Sequence, residues 1–229
     1  MWTSGRSAHL FRLGGFPVRA DIGAAFLLVL LLIIFGGQGP TGLLLGLVIA
    51  VITFMSVLLH ELGHAVAVRR LGYGQSTIVF SFLGGVTQWR GAPTHGHSIR
   101  IAAAGPAVSL LLAMLSFGLL WVFRAAGVDS VLLLRLLWIT GFLNVLWGVF
   151  NLLPIYPMDG GKIARSWMSM RLSATEARRR SLMLSGGTGV VLMFVAAAMG
   201  YVFVLLLMAL LLLQNWREWQ AMSGGPGRG

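Results

Sequence analysis

The run LLLGLVIAVITFMSVLLHELGHAVAV, residues Leu43–Val68, decides what kind of protein this chain forms. It is apolar over more than the ~20 residues that a helix needs to cross a bilayer, yet two histidines and a glutamate lie near its end. Ionisable residues inside a membrane are costly and by default mark a functional site. The run therefore predicts a transmembrane helix that carries a polar site.

The composition of the whole chain agrees with a membrane protein. Its 229 residues are 57% hydrophobic and 10% charged, with a mean hydropathy of +0.86, whereas a soluble domain carries about 25% charged residues. The net charge of +11 comes mainly from basic residues between the apolar runs, so we expect the lipid bilayer with its anionic headgroups, and not nucleic acid, as the partner. The chain has no cysteine, which excludes disulfides and thiolate metal ligands.

Hydropathy predicts one all-α polytopic membrane domain, residues 1–229, with no PDZ or CBS domain and about five transmembrane helices. The expected spans are residues 22–36, 43–68, 101–123, 131–153 and 189–213. No A-x-A-like cleavage site follows the first run, so we interpret it as an uncleaved span and not as a signal peptide. The last run is most simply one span; two half-helices, which would make six spans, are the alternative.

The distribution of basic residues predicts the orientation. Arginines and lysine cluster in the N-terminal segment, in residues 69–100 and in residues 162–180, whereas the connections at 36–42 and 124–130 are poor in them. The positive-inside rule therefore places the N-terminus and the polar site near the cytoplasmic side. With five spans the C-terminal tail lies outside; with two half-helices it returns inside.

The motif His60-Glu61-Leu62-Gly63-His64 predicts a metal site. Residues i and i+4 share one face of a helix, so both imidazoles can bind one ion, and Glu61 is placed to take a proton from an activated water. Zinc suits imidazole and leaves a position for water when the protein supplies three ligands. A chance match or a purely structural polar cluster is disfavoured by the cost of burying these groups in lipid.

A third ligand must come from elsewhere in the chain. The candidates are the remaining acidic and histidine side chains: Asp21, Asp129, Asp159, Glu176, Glu218, His9, His95 and His97. Asp159 lies just before Lys162 at the cytoplasmic end of the fourth span, at a depth similar to that of His64, which precedes Arg69 at the basic end of its own span. Topology therefore favours Asp159. His95 and His97 are interpreted as solvated loop residues, with accessory metal binding or pH sensing as the alternative.

A second motif makes the pattern resemble a known family. Residues 151–161, NLLPIYPMDGG, together with the histidine motif, resemble the paired signature of the site-2 proteases, which are intramembrane zinc metalloproteases of peptidase family M50. Three shorter segments are similar as well, namely GGFPVR at 14–19, FLGGV at 82–86 and AGP at 104–106. The resemblance covers about residues 13–170. It implies one zinc ion bound by His60, His64 and Asp159, with Glu61 as general base and acid.

The resemblance also assigns Asn151, which by spacing alone reads as a helix-end hydrogen bond, to the substrate carbonyl or its oxyanion. The family often has a sixth span, which this chain is expected to lack. The implied activity is zinc-dependent hydrolysis of peptide bonds in or near transmembrane segments, in a bacterial or archaeal cell membrane. The substrate would be a single-span membrane protein or a signal-peptide remnant.

Residues 75–89 predict a small membrane-associated β-hairpin between the second and third spans. They are rich in β-branched and aromatic side chains and contain a Gly-Gly break. An unwound substrate could pair with this hairpin near Gly84, Gly85 and Val86, because main-chain pairing satisfies groups that lipid cannot. The equal alternative is that the hairpin only caps the site.

Two other classes of function compete with proteolysis. A metal transporter would carry ionisable residues at several depths along its spans, whereas here they are expected at one depth. A catalytically inactive scaffold of the same fold would not need Glu61. Both features favour the enzyme.

Overall fold

The computed structural model describes residues 7–36, 39–81 and 84–223. Seven helices were found in these residues: α1 Ile22–Phe35, α2 Gly39–Arg70, α3 His95–Ala125, α4 Val131–Leu152, α5 Asp159–Ser169, α6 Ala174–Ala198 and α7 Val202–Ser223. Four strands accompany them: β1 Ala8–Leu13, β2 Phe16–Ala20, β3 Ser76–Ser81 and β4 Gly84–Trp89. Five helices among the described residues, α2, α3, α4, α6 and α7, are long and apolar enough to cross a membrane. The predicted class, an all-α polytopic membrane protein with a small sheet, is confirmed.

The prediction of one span over residues 189–213 is wrong. α6 ends at Ala198 and α7 begins at Val202. Between them Gly200 has a φ of +73°, and the Tyr201 N–H donates to the Ala196 carbonyl over 2.8 Å. A left-handed glycine of this kind ends helices without any polar residue, so hydropathy alone does not detect the break. The described residues still contain five helices long enough to cross a membrane, as predicted, and the predicted first span corresponds to the shorter apolar helix α1.

The predicted hairpin is confirmed as β3–β4, but it belongs to a larger sheet. The strand order is β1-β2-β3-β4, antiparallel except for the parallel pair β2–β3. The N-terminal hairpin β1–β2 was missed, although its turn residues Gly14 and Gly15 both have positive φ, at 58° and 88°, as a tight hairpin turn requires. Phe82 and Leu83, at the expected tip of β3–β4, lie outside the described residues.

Contacts divide the chain into two compact units. The first comprises the described residues of Met1–Ala92 and Ala104–Val149. In its core the sheet packs on α2, because alternate strand residues face that helix. The buried residues of this core are Phe16, Val18, Ile78 and Phe80 from the sheet, and Val57, Leu58 and Ala65 from α2. The sheet is therefore fixed against the helix that carries the histidine motif.

The second unit comprises the described residues of Pro93–Ala103 and Phe150–Gly229. Its apolar core joins Ile155, in the Pro-rich segment after α4, to Met208 and Leu211 of α7. A buried serine, Ser185 of α6, adds polar contacts: its Oγ accepts the Tyr156 N–H over 2.8 Å and the Asn215 amide over 2.6 Å. The segment that leads to Asp159 is thus held by both of the last two helices.

Candidate active site

His60 and His64 form the centre of the site. They lie one helical turn apart on α2, are 1% and 6% exposed, and their Nε2 atoms are 3.2 Å apart. The potential ligand atoms of His60, Glu61 and His64 all lie within 4.8 Å of one another. The predicted clustering of these three residues is therefore present. Two buried imidazoles that converge through Nε2, beside a carboxylate, are a donor set that suits zinc.

Gly105 of α3 leaves the space beside the two imidazoles. A Cβ built at this position would lie 2.6 Å from Nε2 of His60 and would also overlap Nε2 of His64. Only glycine therefore allows α3 to pass so close to the edge where both histidines present their nitrogen atoms. The close approach of the Gly105 backbone to both Nε2 atoms is independent of the histidine motif, and it also fits a metal ion bound by the two histidines.

Ser109 of α3 contacts the other ring nitrogen of His60. Its Oγ lies 3.0 Å from Nδ1 of His60, and the serine is fully buried. A hydrogen bond at one imidazole nitrogen orients the ring and selects the tautomer that leaves the other nitrogen as a ligand. The sequence analysis missed Ser109. The available signal was its spacing, since Ser109 follows Gly105 by one helical turn and faces the same side.

The hairpin β3–β4 lies directly against Glu61. The Thr87 hydroxyl donates to Oε2 of Glu61 over 2.7 Å, and a Cβ at Gly85 would lie 3.0 Å from the Glu61 carboxyl carbon. A Cβ at Gly84 would lie 2.7 Å from the Trp147 ring. The side chain of Val86, which points to the opposite face of the strand from Gly85 and Thr87, is 50% exposed. The two glycines therefore let the strand approach α2 and Trp147. Thr87 was not predicted.

Asp159 and Asn151 belong to the second unit. Asp159 is the first residue of α5, is 3% exposed, and accepts a hydrogen bond from Lys162 Nζ over 3.0 Å. Gly161 allows α5 to start close to the preceding segment, because a Cβ there would lie 2.6 Å from the Ile155 carbonyl carbon. Asn151 is half-buried near the end of α4. The roles of Asp159 as a ligand and of Asn151 at the substrate carbonyl stay predictions.

Several of the other ligand candidates have structural contacts instead. Asp21 caps α1, where its Oδ1 accepts the Gly23 N–H over 2.8 Å. Glu176 pairs with Arg180 over 2.7 Å, and Glu218 pairs with Arg165 over 2.7 Å. Each carboxylate therefore has a conventional role as a cap or an ion-pair partner.

The assignment of His95 and His97 to a loop is wrong, because α3 begins at His95. The Thr94 hydroxyl accepts the His97 N–H over 3.3 Å, which caps the first turn of the helix. Threonine is a preferred capping residue, and this turn extends the predicted third span by several polar residues at its N-terminal end. Accessory metal binding and pH sensing by these histidines stay predictions.

Comparison with known sequences shows similarity to zinc metalloproteases. The sequence profile of peptidase family M50 matches residues 48–131 and 125–196. The chain is 40% identical to Rip3 of Mycobacterium tuberculosis over 129 residues, which are 56% of this chain and 33% of that protein. It is 33% identical to zinc metalloprotease MJ0392 of Methanocaldococcus jannaschii over 165 residues, 72% of this chain and 46% of that protein. The chain thus matches between a third and a half of the length of these relatives.

The fold has a counterpart among solved structures. The site-2 protease from Methanocaldococcus jannaschii superposes with a TM-score of 0.66 over 93% of this chain and 95% of that chain, at 23% sequence identity. At this identity the match establishes the fold alone.

Proposed function

Since the chain belongs to peptidase family M50, we propose that it is an intramembrane zinc endopeptidase that hydrolyses peptide bonds in or near transmembrane segments. It is an integral multi-pass membrane protein with the site-2 protease fold. The observation that carries the proposal is the buried cluster of His60, Glu61 and His64 on an apolar helix. Lipid-embedded helices rarely carry such groups without a chemical role.

The residues divide the chemistry between them. His60, His64 and Asp159 would hold the zinc ion, which supplies Lewis acidity to a water and to the scissile carbonyl. Glu61 accepts the proton that the attacking water loses and later donates it to the leaving amine nitrogen. The Asn151 amide donates a hydrogen bond to the substrate carbonyl oxygen as negative charge develops there. The assignments of Asp159 and Asn151 rest on the NLLPIYPMDGG motif.

The proposed substrate class is supported by the position of β4 beside Glu61. A helical transmembrane segment hides its peptide carbonyls in its own hydrogen bonds, so it must unwind before Glu61 can act on it. β4 is the last strand in the sheet order, begins beside Glu61, and has Val86 exposed. We propose that an unwound stretch of a single-span membrane protein or signal-peptide remnant pairs with this strand near Gly84, Gly85 and Val86. The cytoplasmic side is the proposed side of entry for water.

The test is cleavage of co-expressed single-span membrane proteins and signal peptides by the parent chain and by Glu61→Gln. We expect truncated product from the parent only, with equal zinc content in the two purified proteins. Addition of a chelator should abolish cleavage, and zinc should restore it. Equal product from both proteins would remove Glu61 as the base. No product from a zinc-loaded parent across the panel would favour an inactive scaffold.

A further inference from the structure

We infer that Thr87 is a positioning residue that fixes the carboxylate of Glu61 for proton transfer. The inference rests on the proposed function, since it concerns the general base of that reaction. It assigns a role in the chemistry to the sheet, which otherwise would serve only to cover the site or to bind substrate.

The single proton of the Thr87 hydroxyl has two acceptors within reach, and both belong to Glu61. Its Oγ1 lies 2.7 Å from carboxylate Oε2 and 2.9 Å from the main-chain carbonyl oxygen of the same residue. A hydroxyl that bridges the backbone and the side-chain end of one glutamate restricts the torsion angles between them. Glu61 is 5% exposed, so bulk water competes little for these contacts.

This contact distinguishes the two oxygen atoms of the carboxylate. Oε2 accepts the hydrogen bond from Thr87, which leaves Oε1 to accept the proton that water loses. After that transfer Oε1 carries the proton and Oε2 is a carbonyl-type oxygen, which still accepts from Thr87. When Oε1 passes the proton to the leaving amine, the carboxylate returns to its starting state. The threonine therefore keeps one contact throughout the cycle while Glu61 gains and loses the proton.

The sheet holds Thr87 in this place through its register. Thr87 pairs with Ile78 and Gly85 pairs with Phe80, so all four side-chain positions face α2. Ile78 and Phe80 are buried in the core that joins the sheet to α2. A side chain at position 85 would collide with Glu61. Core packing and a missing Cβ thus bring the strand to hydrogen-bonding distance of the base.

The first test separates the hydroxyl from the shape of the side chain. Thr87→Val keeps the shape and removes the donor, whereas Thr87→Ser keeps the donor. With a fluorescence-quenched single-span peptide that contains a Gly-Pro break, in detergent, we expect Thr87→Val to lower kcat by about 10- to 100-fold with KM nearly unchanged. Thr87→Ser should recover most of the activity. Thr77→Val on β3, a matched threonine whose strand neighbour is Gln88, should leave kcat unchanged.

The second test does not depend on activity. Melting temperatures of the zinc-loaded protein are measured for the parent, Thr87→Val, Glu61→Met and the double variant, because a direct contact makes the two changes non-additive. We expect Thr87→Val to lower the melting temperature less in the Glu61→Met background than in the parent. Additive changes, or Thr87→Val kinetics equal to those of the parent, would overturn the inference. A parent that melts with this coupling but cleaves nothing would contradict the proposed function alone.

Discussion

Adding one methyl group at Gly105 tests whether His60 and His64 bind the metal ion. A Cβ at this position would overlap the Nε2 atoms of both histidines, so we expect Gly105→Ala to abolish stoichiometric zinc binding while the chain still inserts in the membrane. Gly118→Ala is the matched control, because the same helix has nothing within 4 Å of a Cβ there. Zinc per chain is measured by mass spectrometry of the purified protein. Full zinc content in Gly105→Ala would place the ion away from these two nitrogen atoms.

Asp159 is the second residue whose role can be decided by metal content. Loss of a ligand carboxylate should weaken zinc binding at least as much as loss of an outer-shell partner, so we expect a decrease in affinity of at least ~100-fold for Asp159→Asn. The control is Asp129→Asn, an exposed aspartate in the connection before α4. Affinity is measured by competition with a chelating dye. Equal affinities in the two variants would show that the third ligand is another residue.

The sequence predicted the local part of the site and missed the contacts made from other elements. His60, Glu61 and His64 follow from helical spacing, which is a property of neighbouring residues. Ser109 and Thr87 contact the same motif from α3 and β4. A spacing rule applies within one segment, so it cannot pair Ser109 or Thr87 with a motif on α2. A single serine or threonine in a sequence is also compatible with many purely structural roles. Tertiary packing had to be known before either side chain could be given a role.

At the scale of elements, a buried amide joins two of the apolar helices. The Asn144 amide of α4 donates to Ser56 Oγ of α2 over 2.9 Å, and Asn144 is fully buried. Hydrogen bonds between transmembrane helices contribute about 0.6 kcal/mol on average and up to about 1.7 kcal/mol. We therefore expect a coupling energy of about 1 kcal/mol between Asn144→Leu and Ser56→Ala, from a double-mutant cycle of denaturant unfolding in micelles.

The single substitutions in this cycle have different expected effects. Asn144→Leu removes an amide whose Oδ1 has no hydrogen-bond partner in the structure, so its own cost is partly offset by relief of that unsatisfied group. Ser56→Ala leaves the amide with only the Thr140 carbonyl as acceptor. A coupling energy near zero would mean that this hydrogen bond contributes nothing to the stability of the protein.

The elements also show where hydropathy succeeds and where it fails. The second, third and fourth predicted spans overlap α2, α3 and α4. A long apolar run in lipid must satisfy its own backbone hydrogen bonds, and the helix is the conformation that does so within one segment. The hairpin β3–β4 was predicted correctly from its β-branched and aromatic residues. The break near Gly200 and the hairpin β1–β2 depend on glycine backbone conformation, which a count of apolar residues does not register. Turn chemistry around Gly14-Gly15 was the usable signal.

For the whole molecule, the break between α6 and α7 changes the predicted topology. If the short helix α1 crosses the bilayer together with the five long apolar helices, the end of α7 lies on the same side as β1, and the positive-inside rule predicts that this side is cytoplasmic. The chain has no cysteine, so single thiols can report sidedness. We expect Ser130→Cys and Tyr201→Cys to react with a membrane-impermeant maleimide on intact cells. Arg90→Cys and Ala221→Cys should react only after permeabilisation.

If residues 189–213 crossed as one span, Tyr201→Cys would stay unlabelled in the bilayer and Ala221→Cys would react from outside. That result would contradict the six-helix topology.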